Sequence, residues 1–277
     1  MTKRTYITAA RLTALQRDLR PTDWALLQDT ARLNLASGDQ LRRLHYQDNA
    51  TGQRMARLDL RHLVDRDLLT RIGRQVGGRR AGSKGYVYGL SVAGKRLVGP
   101  KTDRPREPWT PTSNSLRHVL AVSELYVQLR EMEDHSRFTL ERFDAEPRCW
   151  RTFSGPGGSR STLKPDAYAL TVTTDYIDSW FIELDRATES VSRIKDKAKA
   201  YGRYWQSGRE QEREGVFPAV LFVVPDNNRQ VQLVNALTRQ PADQWRLFRV
   251  VTADAAAQAI VEGELLSEHD RREEVNS

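Results

Sequence analysis

The stretch 181-FIELDRATESVSRIKDKAKAYGRYW-205 changes its hydrophobic period from that of a strand to that of a helix. Apolar and acidic side chains alternate in its first residues, which is the pattern of a strand with one buried face. Glu183 and Asp185 are therefore expected on the face opposite Ile182 and Leu184. The residues that follow predict a helix at 189–206. A strand that leads into a long helix is typical of an α/β layered domain.

A second predicted strand precedes this one, and the turn TTDYIDS between them predicts a β-hairpin. If the hairpin centres near Asp175 and Tyr176, Asp166 lies opposite Asp185 and diagonal to Glu183. Three carboxylates in one place repel one another unless a cation lies among them, and their oxygens suit a hard divalent ion. The pattern thus predicts Mg²⁺ or Mn²⁺ at Asp166, Glu183 and Asp185. The alternative is a solvated hairpin with incidental acids.

Further from this hairpin, the run VFPAVLFVV at 216–224 is apolar on both faces, which predicts a central strand of a covered sheet. Other candidate strands lie at 138–143, 149–153 and 247–251, and a helix is predicted at 115–131. These elements occur in mixed order. They predict one mixed domain and exclude a repeat array.

The N-terminal part predicts three helices followed by a hairpin, which is the outline of a winged helix-turn-helix. The third helix, at about 53–67, is expected to bury Met55, Leu58, Leu60 and Leu63. Its outer stripe and the hairpin tip GGRRAGSKG hold the predicted DNA-binding residues, which are Arg54, Arg57, Arg61, Arg79, Arg80 and Lys84. The alternative is an arginine stripe that is merely a solvated helix face.

Charge is divided unevenly along the 277 residues. Residues 1–110 hold 22 Lys and Arg against 10 Asp and Glu, a net charge of +12, whereas residues 111–277 hold 22 against 26, a net charge of −4. A basic N-terminal part indicates that a polyanion is bound there. The proline-rich segment GPKTDRPREPWTPT predicts a linker at 99–112, between a DNA-binding domain at 1–98 and a second domain at 113–265. A polar tail is predicted at 266–277.

Two classes of protein are disfavoured by composition. The single cysteine, Cys149, excludes an intramolecular disulfide and a cysteine-based zinc site. No stretch approaches the roughly 20 apolar residues that span a bilayer, so we expect a cytoplasmic protein that does not bind membranes.

LKPDAYALT at 163–171, together with 181–205, resembles the replication-relaxation family of plasmids and integrative elements. That resemblance implies an α+β protein of two domains, a winged helix followed by a restriction-endonuclease-like domain of the PD-(D/E)xK superfamily. It also implies that Asp166 is the first metal ligand and Glu183 the second, with Glu124 as a further outer acid.

The sequence departs from the superfamily at Asp185, where its catalytic lysine should stand. The resemblance then points to a migrated lysine on the following helix. Lys197 is the choice, because it lies one turn before Tyr201, as in the Gln-x-x-x-Tyr signature of exonuclease-type members. Lys164, Lys195 and Lys199 stay as alternatives, and so does a solvated basic helix face.

The function expected is action on mobile-element DNA in replication, relaxation or transfer, by metal-dependent strand cleavage with Asp166, Glu183 and Lys197 as catalytic residues. Whether the chain is an enzyme stays open. The alternative is an inactive nuclease-fold regulator or relaxosome accessory factor, which Asp185 favours. The partners expected are double-stranded DNA and other replication or relaxosome proteins, and a homodimer stays open.

Overall fold

A computed structural model describes residues 8–75, 84–99, 111–133, 138–155, 158–174 and 176–263. The chain divides into two compact units, 1–127 and 128–277. The division falls inside a helix at Ser113–Glu133. Most of the predicted linker, and all of the predicted tail, lie outside the described residues, so the domain limits taken from the sequence stay a prediction.

The first unit is built from helices and a small antiparallel sheet, with strands in the order β1-β3-β2. Its elements are α1 (Ala9–Asp18), α2 (Pro21–Leu33), β1 (Leu35–Ser37), α3 (Gly38–His45), α4 (Ala50–Asp65), β2 (Leu69–Gln75), β3 (Lys84–Leu90), α5 (Val92–Val98) and the first part of α6 (Ser113–Glu133). Pro21 occupies the first turn of α2, where its missing N–H costs nothing. Asn49 caps α4 by accepting the Gly52 N–H, which fixes where that helix begins.

Helix α4 buries a narrower stripe than the sequence pattern predicts. Ala56, Leu60 and Leu63 are buried at helical spacing. Met55 and Leu58 are 39% and 49% exposed, so the prediction that both face inward is wrong. The reason is that the buried stripe is complete without them, since a four-then-three spacing already forms one apolar face.

The second unit contains a mixed five-stranded sheet in the order β10-β9-β8-β7-β4 and a two-stranded sheet of β5 and β6. Its elements are β4 (Phe138–Ala145), β5 (Arg151–Ser154), β6 (Arg160–Leu163), β7 (Ala167–Thr173), β8 (Ile177–Leu184), α7 (Val191–Gln206), α8 (Arg209–Glu214), β9 (Ala219–Val224), α9 (Asn227–Leu237), α10 (Ala242–Trp245), β10 (Phe248–Thr252) and α11 (Ala256–Glu262). Strands β4, β7 and β8 are antiparallel, whereas β8, β9 and β10 are parallel. The predicted α+β class is confirmed, and β9 is a buried interior strand of the sheet, between β8 and β10, in keeping with its apolar run.

The β7–β8 hairpin differs from the predicted one in its register. Ala167 pairs with Ile182 and Val172 with Ile177, so the hairpin centres one residue earlier than expected. A shift of one residue in the centre moves the pairing by two residues, which keeps every side chain on its predicted face. As a result, Asp166 lies beside the segment that holds Glu183 and is not opposite Asp185.

Helix α7 covers the face of the sheet on which the site is built. Phe181 of β8 lies against Tyr201 and Tyr204 of α7, with ring centroids 5.8 and 6.4 Å away. Aromatic packing of this kind fixes the helix over the strand.

None of the described helices is long and apolar enough to cross a membrane.

Candidate functional site

The candidate site centres on Glu183, near the end of β8. Its side chain is only 3% exposed and faces α7. Oε1 accepts a hydrogen bond of 2.7 Å from the Tyr201 hydroxyl, and Oε2 accepts one of 2.8 Å from Lys197 Nζ. Lys197 and Tyr201 are four residues apart on α7, so one helix face presents both donors to the same carboxylate.

Asp166 is fixed beside Glu183 by the backbone of β8. Its N–H donates to the Ile182 carbonyl at 3.0 Å, and its Oδ2 accepts the Leu184 N–H at 2.7 Å. These two bonds attach Asp166 to the residues on either side of Glu183. The structure thus brings together three of the predicted site residues, Asp166, Glu183 and Lys197.

The ionisation of Glu183 is unusual for a carboxyl group. Burial and the neighbouring charge of Asp166 raise its pKa from 4.5 to about 7, although Lys197 and Tyr201 act in the opposite direction. Desolvation disfavours the carboxylate, and a second negative charge disfavours it further. Glu183 therefore changes charge near neutral pH, where added positive charge would favour its ionised form.

Lys197 is held between two acids. Its Nζ lies 2.8 Å from Glu183 Oε2 and 3.2 Å from Glu189 Oε2. Burial opposes the ammonium charge, but Glu183, Asp166 and Glu189 outweigh it and raise the pKa of Lys197 above its usual value. Lys197 is therefore a permanent cation at neutral pH.

The other candidate lysines lie elsewhere. Lys199 is exposed and pairs with Asp196 at 3.5 Å, while Lys164 lies over the Trp150 ring at 4.6 Å. Lys195 is half-buried on α7. Among the described residues, Lys197 is the lysine whose ammonium contacts Glu183.

Asp185 has a different partner from the one expected. Its Oδ2 lies 2.5 Å from Arg229 Nε of α9, and both side chains are at most 9% exposed. The Ala187 N–H donates to its other oxygen, and Arg229 also donates to the Glu189 carbonyl. The carboxylate is thus neutralised by an arginine. The described part of the chain contains no group of three Asp, Glu, His or Cys residues placed to hold a metal.

Arg229 and Glu189 are site residues that sequence reasoning missed. Arg229 follows Asp185 by 44 residues, and no local pattern links them. Glu189 lies one turn before Arg193, so by spacing it looks like a surface helix pair. Glu189 lies before the first residue of α7, and its contact with Lys197 depends on the path of the segment that enters the helix, which spacing alone does not give.

Glu124 belongs to the first unit, whereas Asp166, Glu183 and Lys197 belong to the second. Glu124 accepts hydrogen bonds from Gln40 and Arg43 within the first unit, and Gln40 also donates to the Leu120 carbonyl. The expectation of an outer acid at Glu124 stays a prediction.

The predicted DNA-binding residues are in part described. Arg54, Arg57 and Arg61 are exposed on α4, and Arg61 makes a long ion pair of 3.6 Å with Asp65. Lys84 begins β3, but its side chain is not described. Arg79 and Arg80 lie outside the described residues.

The chain matches the model of a known protein family over most of its length. The model of the replication-relaxation family matches residues 27–220, which include α4, Asp166, Glu183 and Lys197. The chain belongs to the replication-relaxation family. The resemblance predicted from residues 163–171 and 181–205 is thus confirmed, and the family match extends over both units.

Solved structures give a weaker likeness. Restriction endonuclease FokI bound to DNA is 13% identical, with a TM-score of 0.24, over 97% of this chain and 48% of that one. A second structure of restriction endonuclease FokI is 14% identical, with a TM-score of 0.24, over 91% of this chain and 46% of that one. The chain spans about half the length of the FokI chains, and scores this low carry no argument about its fold. A search of curated proteins found no significant match.

Proposed function

We propose that this member of the replication-relaxation family binds duplex DNA through its first unit and cleaves a DNA strand with its second, in a metal-dependent reaction. The observation that carries the proposal is the buried Glu183 beside Asp166, with the Lys197 ammonium 2.8 Å from its carboxylate. Two acids and a lysine are the groups that phosphodiester cleavage uses. The DNA would be that of a mobile element in replication, relaxation or transfer.

The order of elements in the first unit supports a winged helix. Helix α2, strand β1, helices α3 and α4 and the β2–β3 hairpin follow one another, and β3 lies between β1 and β2. In a domain of this kind α4 would enter the major groove and the hairpin would touch the adjacent backbone. Three exposed arginines on α4 suit that role.

The sheet of the second unit supports a restriction-endonuclease-like fold. An antiparallel meander of β4, β7 and β8 continues into the parallel strands β9 and β10, with helices α7 and α9 beside it. Asp166 directly precedes β7, and Glu183 is on β8. Both acids thus belong to adjacent strands of one hairpin, which is the arrangement that the family resemblance implies.

We further propose that a divalent metal of the Mg²⁺ or Mn²⁺ type binds at this site. Asp166 and Glu183 supply hard oxygen donors, and the Lys197 ammonium already occupies a place beside Glu183 Oε2 that favours positive charge. We propose Asp166 and Glu183 as the metal-holding residues. When bound, the metal would polarise the phosphoryl oxygen and lower the pKa of an attacking water.

The protein's own groups would divide the remaining tasks. Lys197 keeps its proton, so it would stabilise negative charge on the phosphate and would not act as a base. Tyr201 likewise keeps its proton, because burial raises the pKa of its hydroxyl well above the usual value. Its role would be to hold Glu183 by donating to Oε1.

A second candidate function is a DNA-binding regulator or relaxosome accessory factor without catalysis. Asp185 and its buried pair with Arg229 favour it, because the strand position where a catalytic lysine is expected is tied into the core. The two functions share the DNA-binding unit and differ only in chemistry.

A supercoiled plasmid separates the two functions. We expect the wild-type chain to nick or linearise it with Mg²⁺ or Mn²⁺ and to leave it intact with EDTA. Asp166→Asn should abolish cleavage, whereas Asp196→Asn, at an exposed acid of α7, should not. An intact plasmid under all metal conditions, with undiminished DNA binding, would establish the non-catalytic function.

A further inference from the structure

Helix α4 exposes two large apolar side chains that lie outside the stripe it buries against its own unit. Leu58 is 49% and Met55 39% exposed, while the buried stripe of the same helix is complete in Ala56, Leu60 and Leu63. Exposed aliphatic residues are common on protein surfaces, but these two lie among the exposed arginines of α4, so the same helix face offers a partner both apolar and charged contacts.

Leu58 lies at the centre of the arginine face. It follows Arg54 by four residues and precedes Arg61 by three, so both are its neighbours on the helix surface. Met55 precedes Leu58 by three residues and adjoins it on the other side. The surface is thus an apolar patch of two residues bordered by guanidinium groups.

The chemistry of this surface narrows its partner. Phosphate contacts alone would account for the arginines and would leave Leu58 and Met55 unexplained. The major groove offers both kinds of contact, because guanine O6 and N7 accept from arginine and the C5 methyl of thymine is apolar. The net charge of +12 in residues 1–110 favours the same polyanion.

We propose that Leu58 reads the C5 methyl group of thymine in the major groove, with Met55 at the edge of the contact. The chain then prefers particular DNA sequences over DNA in general. This inference rests on the proposed DNA binding by α4 and adds the chemical feature that α4 recognises. The arginines supply affinity and guanine contacts, and the leucine supplies discrimination.

Replacing thymine by uracil tests the contact, since uracil keeps the base pair and loses only the methyl group. The full chain is first used to select duplexes from a randomised library at fixed salt. Single thymines of the selected duplex are then replaced by uracil in turn. At the thymine that Leu58 contacts we expect binding to weaken about fourfold, which corresponds to about 0.8 kcal/mol for one buried methyl group.

Three variants make the test specific. Leu58→Ala should weaken binding to the thymine duplex and bring the thymine-to-uracil ratio close to one. Arg57→Ala should weaken binding to both duplexes and keep the ratio. Val231→Ala, at an exposed apolar residue of α9, should change neither.

The outcomes separate this inference from the proposed function. Absence of binding to any duplex would overturn DNA binding by the chain. Salt-dependent binding without an enriched sequence, or with equal affinity for thymine and uracil at every position, would overturn the methyl contact alone. If Leu58→Ala kept the ratio and instead changed the sedimentation of the chain, Leu58 would belong to an interface between copies and the inference would fail.

Discussion

Lys197 Nζ lies 2.8 Å from Glu183 Oε2, so a cation of helix α7 meets a buried carboxylate of strand β8. The pair has a further acid on each side, Asp166 from the residue before β7 and Glu189 from the segment before α7. The single positive charge of Lys197 therefore lies among three acidic side chains and cannot neutralise all of them. This excess of negative charge is the reason for proposing a divalent cation at the site.

Replacement of Lys197 tests its proposed catalytic role. Lys197→Ala should lower the rate of plasmid cleavage by on the order of a hundredfold, because a charge stabiliser of the transition state is lost. DNA affinity should stay nearly unchanged. Single-turnover cleavage and a separate binding titration measure the two effects.

The other lysines of α7 provide matched controls. Lys199→Ala removes an exposed cation from the same helix, and Lys195→Ala removes a half-buried one. Both should cost at most modest affinity through phosphate contacts. Equal, small rate effects at all three lysines would contradict a migrated catalytic lysine.

The ionisation of Glu183 predicts a pH dependence of stability. Unfolded chains ionise this group near pH 4.5, whereas the folded chain keeps the proton until about pH 7. A pKa raised in the folded state favours folding most at low pH, and the contribution is lost as pH rises through about 7. Without metal, the wild type should therefore lose stability as pH rises, whereas Glu183→Gln should not. The thermal midpoint of Glu183→Gln minus that of the wild type should thus increase with pH.

The comparison is made in EDTA from about pH 4 to about pH 8, which brackets the interval between the two pKa values. Glu212→Gln, at an exposed acid, serves as the control and should follow the wild type. A constant difference between Glu183→Gln and wild type across this range would show that the buried carboxyl titrates normally.

Metal binding should stabilise the folded chain by mass action. A divalent ion that binds only the folded state raises the thermal midpoint, by an amount that grows with the ratio of its concentration to its Kd. Mg²⁺ or Mn²⁺ should raise the midpoint of the wild type, and Asp166→Asn should abolish the rise without unfolding the protein. Asp196→Asn should retain it. Calorimetry that finds no binding at millimolar metal would count against the metal site.

The buried pair of Asp185 and Arg229 should be structural. Arg229→Ala leaves a carboxylate buried without its cation, which should lower the free energy of unfolding by about 3 kcal/mol or more. Asp185→Asn in the same chain should recover part of the loss. For comparison, Arg209 lies 4.0 Å from Glu212 at the surface, and Arg209→Ala should cost less than about 1 kcal/mol. Denaturant unfolding measures all four chains, and equal losses for both arginines would refute the assignment.

Much of the second unit could be predicted from the sequence because its signals are local. The alternation at Phe181–Asp185 predicts β8, and the spacing of Lys197 and Tyr201 predicts that both face one direction. The proximity of Asp166 to Glu183 follows from the hairpin, even with its register two residues off, since a shift by two keeps the faces.

The remaining features depend on contacts that no local pattern contains. Asp185 finds Arg229 through the packing of α9 against the sheet, and Glu124 finds Arg43 through the packing of α6 on α3. Strand β1 has three residues, too few to give a period, and it forms because β3 offers it an edge. These features depend on tertiary packing, so the spacing of residues along the chain could not predict them.

The arginines of α4 predict how DNA affinity should depend on salt. Each phosphate contact releases condensed counterions, so affinity should fall steeply as salt rises, and loss of one contact should reduce the slope of log K against log salt by about one. Arg57→Ala, at an exposed residue of α4, should therefore bind more weakly and with a shallower slope. Arg193→Ala removes an exposed arginine of α7 and should leave both quantities close to wild type. Fluorescence anisotropy with one duplex at several salt concentrations gives the slopes. If Arg57→Ala and Arg193→Ala had the same slope as the wild type, α4 would not contact the phosphate backbone, and the basic surface of the first unit would need another partner.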